Sequence, residues 1–202
     1  MRYTRVFFSG RAFMYPPTHC YHPELLKGKS ALVTGGGTGI GRAIAFELAR
    51  AGANVTIASR QIEPLQATAD AIASETQRSV KTQLVDIRDL DSVNELAKGI
   101  ASEEGQMDIL INNAGGQFPQ AAENYSPKGW RTIIDLNLNG TWNMTQALGQ
   151  QMLNGRGGVI LNIIMTIGRG NPGIAHSGAA RAGVAEMTRS LSYEWGPKVR
   201  VN

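Results

Sequence analysis

Three observations predict a doubly wound α/β fold, a parallel sheet with helices on both faces. Short apolar runs alternate with helical patterns from Lys29 to Asn202. A glycine cluster, "TGGGTGIG", stands where the first run hands over to the first helical pattern. Polar residues then recur at the ends of later runs, where the ligands of such sheets bind.

The elements follow in order. "SALVT" reads as the first strand, and Ile40, Ile44 and Leu48 then fall at helical spacing. "NVTIAS" is the second strand, and Ile62, Leu65, Ala69 and Ile72 mark the second helix. "KTQLVD" is the third strand. Val93, Leu96 and Ile100 give a third helix, capped near Asp91 or Ser92. "MDILINN" is the fourth strand, followed by a long helical region from about Lys128 to Leu153. "GGVILNII" is the fifth strand. The last helix starts around Ser177 and runs to about Trp195, and "KVRVN" opens a sixth strand at which the chain stops. Right-handed crossovers then put helices on both sheet faces. The expectation is a single domain over residues 29–202, cut short after the start of the sixth strand.

Composition bounds the function. No apolar run approaches the ~18 residues that span a membrane. The single cysteine, Cys20, excludes an internal disulfide framework and fits a reducing compartment. The net charge of +4 is spread thinly, with no dense Lys/Arg run, which argues against nucleic acid as a partner. The three histidines and the cysteine are not clustered, so no metal site is expected. Residues 1–28 carry Arg2, Arg5 and Arg11 and no acid before Glu24. That composition fits a flexible extension, a transit segment or a start codon placed too early. Cytoplasmic location is expected, or a mitochondrial or peroxisomal one if a signal lies in that segment or downstream.

The glycine cluster excludes two phosphate-binding patterns. Strict G-x-G-x-x-G fails because position 40 is Ile, and a P-loop fails because Arg42 and Ala43 replace Lys and Ser/Thr. The pattern that fits is T-G-x-x-x-G-x-G at Thr34, Gly35, Gly39 and Gly41. Gly35, Gly37, Thr38, Gly39, Ile40 and Gly41 would let backbone and a helix N-terminus approach a pyrophosphate. A tight strand–helix turn is the plainer alternative. Ser59 and Arg60 end the second strand, where an acid would hold a ribose 2′-hydroxyl and an Arg holds a 2′-phosphate; this favours NADP(H) over NAD. Asp86 and Ile87 follow the third strand, where a carboxylate would accept from an adenine amine. Asn112, Asn113, Ala114 and Gly115 end the fourth, again at the carboxyl edge.

"TGGGTGIG", "NNAG", "IIDLNLNG" and "AARAGVAEMTRSLSYEWG" leading into "VRVN" together resemble the short-chain dehydrogenases/reductases, a Rossmann-like family. "IASR", "NNAGGQF" and "HSGAARAGV" resemble its trans-2-enoyl-CoA and 2,4-dienoyl-CoA reductase members. The resemblance implies NADPH-dependent reduction of a carbon–carbon double bond in an acyl-CoA thioester, and a homo-oligomer by analogy. It also meets a departure. Most members carry Tyr-x-x-x-Lys at the start of the sixth helix, and Ser177 and Arg181 stand at those positions. The family's serine falls at Ile164 or Met165, with Thr166 the nearest hydroxyl; only the Asn, at Asn137, is kept.

The departure narrows the chemistry. Serine is a far poorer acid than a phenol, and Arg does not deprotonate, so ketone reduction is disfavoured. An enolate needs hydrogen-bond donors instead, each worth roughly 3–4 kcal/mol at such sites. Gln117, Ser177 and Thr166 are the candidate donors, and Arg181 by resemblance holds the nicotinamide ribose. The alternatives are a Ser177 that only caps its helix and a catalytically silent NADP-binding remnant.

Overall fold

The computed structural model describes residues 21–166, 168 and 170–202. The basic part of the N-terminal segment and Cys20 lie outside the described residues. Residues 21–28 form turns docked on the body: the Leu26 N–H donates to the Ala51 carbonyl at 2.7 Å, and Leu26 packs on the core.

Six parallel strands form one sheet in the order β3-β2-β1-β4-β5-β6. They are β1 (Ser30–Thr34), β2 (Asn54–Ser59), β3 (Val80–Leu84), β4 (Ile109–Asn112), β5 (Gly158–Asn162) and β6 (Val199–Val201). The helices are α1 (Gly39–Arg50), α2 (Ile62–Thr76), α3 (Leu90–Glu104), α4 (Pro127–Ile134), α5 (Gly140–Asn154) and α6 (Ala175–Trp195). The strand order reverses direction at β1, whose neighbours are β2 and β4, and a ligand crevice opens at such a switch point.

Period-two alternation divides the strand residues between two cores. Ala31 and Val33 of β1 join Val55 and Ile57 of β2 under α1 and α2; Leu32 and Ala58 point the other way, toward α3 and α5. Helices cover each face, which is why central strands such as β1 and β4 read as near-continuous apolar runs.

Three details differ from the sequence expectation. The buried face of α1 is Gly41, Ala45, Phe46 and Ala49, while Ile40 is 63% exposed. Small residues let α1 lie close on the sheet beside the glycine turn, so the packed stripe is rotated from the one the branched residues mark. The cap of α3 is Asp89, whose carboxylate accepts from the Asp91 and Ser92 N–H groups at 3.0 and 3.4 Å. The long helix between β4 and β5 is broken into α4, a π turn at Asp135–Asn139, and α5.

Candidate functional site

The glycine turn is a backbone structure held from β4. The Thr34 hydroxyl accepts from the N–H groups of Asn113 and Ala114, both at 3.0 Å, and donates to the Ile111 carbonyl at 3.2 Å. The Asn113 amide returns two bonds, to the carbonyls of Thr34 and Gly35 at 3.0 and 3.3 Å. Gly35 and Gly39 adopt positive φ, +66° and +54°, which favours glycine. A Cβ on Gly41 would stand 2.3 Å from the Gly35 carbonyl oxygen and 2.5 Å from the Asn113 amide nitrogen. Thr38 precedes α1 without a side-chain cap, so the first-turn N–H groups face outward as an anion site. Gly37 packs on α2, where the Thr68 hydroxyl donates to its carbonyl at 2.8 Å. Backbone pressed this tightly on backbone, with an uncapped helix start, fits a pyrophosphate.

The second and third strand ends flank this turn. Ser59 closes on the Gln61 carbonyl at 3.0 Å, and Arg60 is exposed. Asp86 accepts from the Arg88 guanidinium, and the Arg88 hydrogen bond holds its carboxyl below the usual range, with a lesser electrostatic contribution from Arg60. Arg60 therefore lies on the same rim as Asp86. Ile87 is buried, and its carbonyl accepts from Asn143 at 3.0 Å.

A second constellation lies beyond β4 and β5. A cavity of about 180 Å³ is lined by Gly116, Gln117, Asn137, Ile163, Ile164, Met165, Ser177 and Arg181. The structure thus brings Gln117, Asn137, Ser177 and Arg181 together and leaves Thr166 out. Thr166 is exposed, and its carbonyl accepts from Asn171 at 3.0 Å. Asn137 sits in the middle of the π turn, a feature frequent at functional sites. Its side chain clasps the Gly116 backbone, accepting from the N–H at 2.9 Å and donating to the carbonyl at 2.8 Å. The same amide donates to the Ser177 hydroxyl at 3.3 Å. Ser177 lies in the first turn of α6, which starts at Ala175 with Ile174 as its cap. It is therefore not the cap, and its own hydroxyl proton remains free to donate into the cavity.

Arg181 follows one turn later and is 7% exposed. Its guanidinium donates to the carbonyls of Asn137 and Ala114, both at 3.4 Å. No carboxylate lies within ion-pair distance of it among the described residues. Burial pushes its pKa below the ordinary Arg value. A Cβ on Gly115 would stand 2.0 Å from the Arg181 Nη2, so a side chain at position 115 would displace the guanidinium from this place. With only two long bonds to carbonyls, its five N–H donors are not all used, and the remainder could serve a further acceptor in the cavity.

Sequence reasoning missed the supports. Asn112 donates to Thr145 and Asn162, at 2.8 and 2.9 Å, and Asn162 donates to Thr188 at 2.9 Å. This polar ladder ties β4 and β5 to α5 and α6 beneath the cavity. The doubled "NN" after "ILI" was the available signal, because buried amides at a strand end must find partners.

A doubly wound sheet with a glycine turn at its switch point defines the dinucleotide-binding class. The chain belongs to the short chain dehydrogenase family, whose model matches residues 29–202. It is 38% identical over 187 residues to the peroxisomal 2,4-dienoyl-CoA reductase of Danio rerio, covering 92% of this chain and 62% of that relative. The chain thus spans about three-fifths of the length of the curated relatives it matches. Among solved structures it resembles the citronellol catabolism dehydrogenase of Pseudomonas aeruginosa PAO1, with TM-score 0.85 and 39% identity over 90% of this chain and 75% of that one. It also resembles a Beutenbergia cavernae protein provisionally named an NAD(P) dependent gluconate 5-dehydrogenase, with NADP bound at low occupancy. There the TM-score is 0.83 and the identity 35%, covering 90% of this chain and 72% of that one.

Proposed function

We propose that the chain reduces a carbon–carbon double bond in a 2-enoyl- or 2,4-dienoyl-CoA thioester with NADPH, as a homo-oligomer. One observation carries this reading: the cavity is lined by hydrogen-bond donors and a buried cation, Gln117, Ser177 and Arg181, and, among the described residues, by no phenol or ammonium. The dinucleotide, when bound, supplies a hydride to the far carbon of the conjugated system. The electron pair of the double bond then moves onto the thioester oxygen as an enolate. Gln117 and Ser177 donate to that oxygen, and Asn137 keeps Ser177 turned toward it. The enolate collapses as its carbon takes a proton from water. The glycine turn from Gly35 to Gly41 would hold the pyrophosphate and Arg60 the 2′-phosphate. Arg181 would hold the nicotinamide ribose.

Placing an acid at the reacting atom matters most for carbonyl reduction, where an alkoxide must be protonated as it forms. An enolate is stabilised well by fixed dipoles alone. The absence of a phenol in the cavity also favours a second reading, a chain that binds NADP(H) and turns nothing over. A spectrophotometric assay of NADPH oxidation separates them, run with 2-enoyl-, 2,4-dienoyl- and 3-ketoacyl-CoA. Turnover of the enoyl or dienoyl thioesters alone is expected. Equal turnover of the keto thioester sinks the reading, and binding without turnover supports the second. Ser177→Ala is expected to lower kcat by about 100-fold, the loss seen when one such donor is removed.

A further inference from the structure

His176, in the first turn of α6, is 0% exposed and has no part in the chemistry above. Its Nδ1 accepts the Ser177 N–H at 2.8 Å. An accepting nitrogen carries no proton, so the neutral ring carries its proton on Nε2. That Nε2 is buried without a hydrogen-bond partner among the described residues. A buried donor left unpaired opposes the ring's staying there, so other contacts must hold it.

Those contacts are aromatic. The ring meets Phe118 edge to face, with centroids 4.6 Å apart, and lies tilted on Tyr125 at 4.6 Å. Tyr125 is itself fixed, its hydroxyl donating to the Gly173 carbonyl at 2.9 Å. The same carbonyl accepts the Gln120 N–H at 2.8 Å. His176 is therefore wedged between the β4–α4 connection and the first turn of α6. Phe118 directly follows Gln117, and Ser177 directly follows His176. One ring thus touches the neighbour of one donor and the backbone N–H of the other.

We infer that His176 is a positioning residue: its Nδ1 fixes Ser177, and its ring, through Phe118, fixes Gln117, so that both donors converge on one oxygen atom. The inference rests on the proposed function of those two donors. It separates two tasks that one side chain performs. His176→Phe keeps an aromatic wedge and removes the acceptor for the Ser177 N–H. His176→Asn keeps a side-chain acceptor close to the backbone and removes the ring.

Double-mutant cycles read this directly. His176→Phe is expected to lower kcat on the order of 10- to 100-fold, the scale of a small misplacement of a catalytic group. It should add little in the Ser177→Ala background and its full loss in the Gln117→Ala background. His176→Asn should show the reverse dependence. NADPH affinity should be unchanged in both variants. Losses that track thermal stability, or that are the same in every background, overturn the inference. Long-range ¹H–¹⁵N spectra of the unmodified chain give an arm that needs no turnover. The proton must reside on Nε2, and a proton on Nδ1 overturns the inference. Should the chain turn over no thioester, the functional reading falls while this arm still decides the tautomer.

Discussion

The two halves of the crevice are built by different means. At the glycine turn the chain offers backbone, and side chains serve only to lock it: Thr34 and Asn113 stitch β1 to β4 with five hydrogen bonds. At the far corner the backbone is a platform and the ligand would meet side chains from three elements, Gln117, Asn137 and the α6 pair Ser177 and Arg181. The first half admits no change in shape. The second can change its chemistry while keeping its frame, and here it has an Arg and a Ser where the family pattern has Lys and Tyr.

The comparison breaks most sharply at Gly41. Gly41→Ala drives a methyl into the Gly35 carbonyl, which is backbone, and into the Asn113 side-chain amide, which is held by its bonds to the Thr34 and Gly35 carbonyls. The expected cost is about 1–3 kcal/mol of stability, as for other overpacked sites, together with loss of measurable NADPH binding. Thermal melts and cofactor titration check both. A variant that binds NADPH as the parent does would remove the backbone half of the comparison.

Arg181→Met tests the other half and should behave in the opposite way. The guanidinium is buried, has no carboxylate partner and is destabilised by desolvation. Replacing a buried charge by an apolar chain of similar length is often neutral or stabilising. The midpoint of unfolding should therefore hold or rise, while kcat/KM falls by at least ~100-fold. A fall in both would make Arg181 a structural cation.

That split explains what the sequence made legible. Strand runs and the glycine spacing are local, so β1, β2 and the turn between Gly35 and Gly41 could be placed within a residue or two. β3 was read as Lys81 to Asp86 and runs from Val80 to Leu84, because its apolar tail, Val85, is buried after the pairing ends. The face of α1 was read in part: Ile44 and Leu48 pack on the core, but Ile40 is exposed, and Gly41, Ala45 and Ala49 are buried by being small, which hydropathy spacing does not weigh. Asn137 was found by motif, but the π turn that presents it was not, since it arises from a clasp to Gly116, 21 residues earlier. The place of His176 was not legible in the sequence. Its burial depends on Phe118 and Tyr125, which come from a connection with no regular period.

Arg60 sharpens the comparison at its exposed edge. It is expected to make charge-assisted bonds to a 2′-phosphate, worth about 1.5–3 kcal/mol. Arg60→Ala should then weaken NADPH binding by roughly 10- to 100-fold and leave NADH binding unchanged. Stability should move by no more than ~0.5 kcal/mol, since the side chain is exposed. Parallel titrations with the two coenzymes give the ratio, and an equal effect on both would remove the case for NADPH.

The smallest effect belongs to Asp86, on the same rim. Its hydrogen bond to Arg88 lowers the folded-state pKa below the ordinary 3.8. The unfolded chain then binds the proton more readily, so folding gains stability from this group as pH rises. The gain is complete above about 3.8 and is lost as pH falls through the lower folded value. Asp86→Asn removes it, so the mutant should be less stable than the parent at pH 7 by under ~1 kcal/mol, the usual scale for a partly exposed pair. The gap should close on acidification below pH 4 and shrink in high salt, because screening weakens exposed pairs. Urea melts at pH 7, 5, 4 and 3 measure it. A gap as large at pH 3 as at pH 7 would mean that Asp86 holds the rim by shape and not by charge, which would place it with the rigid half of the crevice.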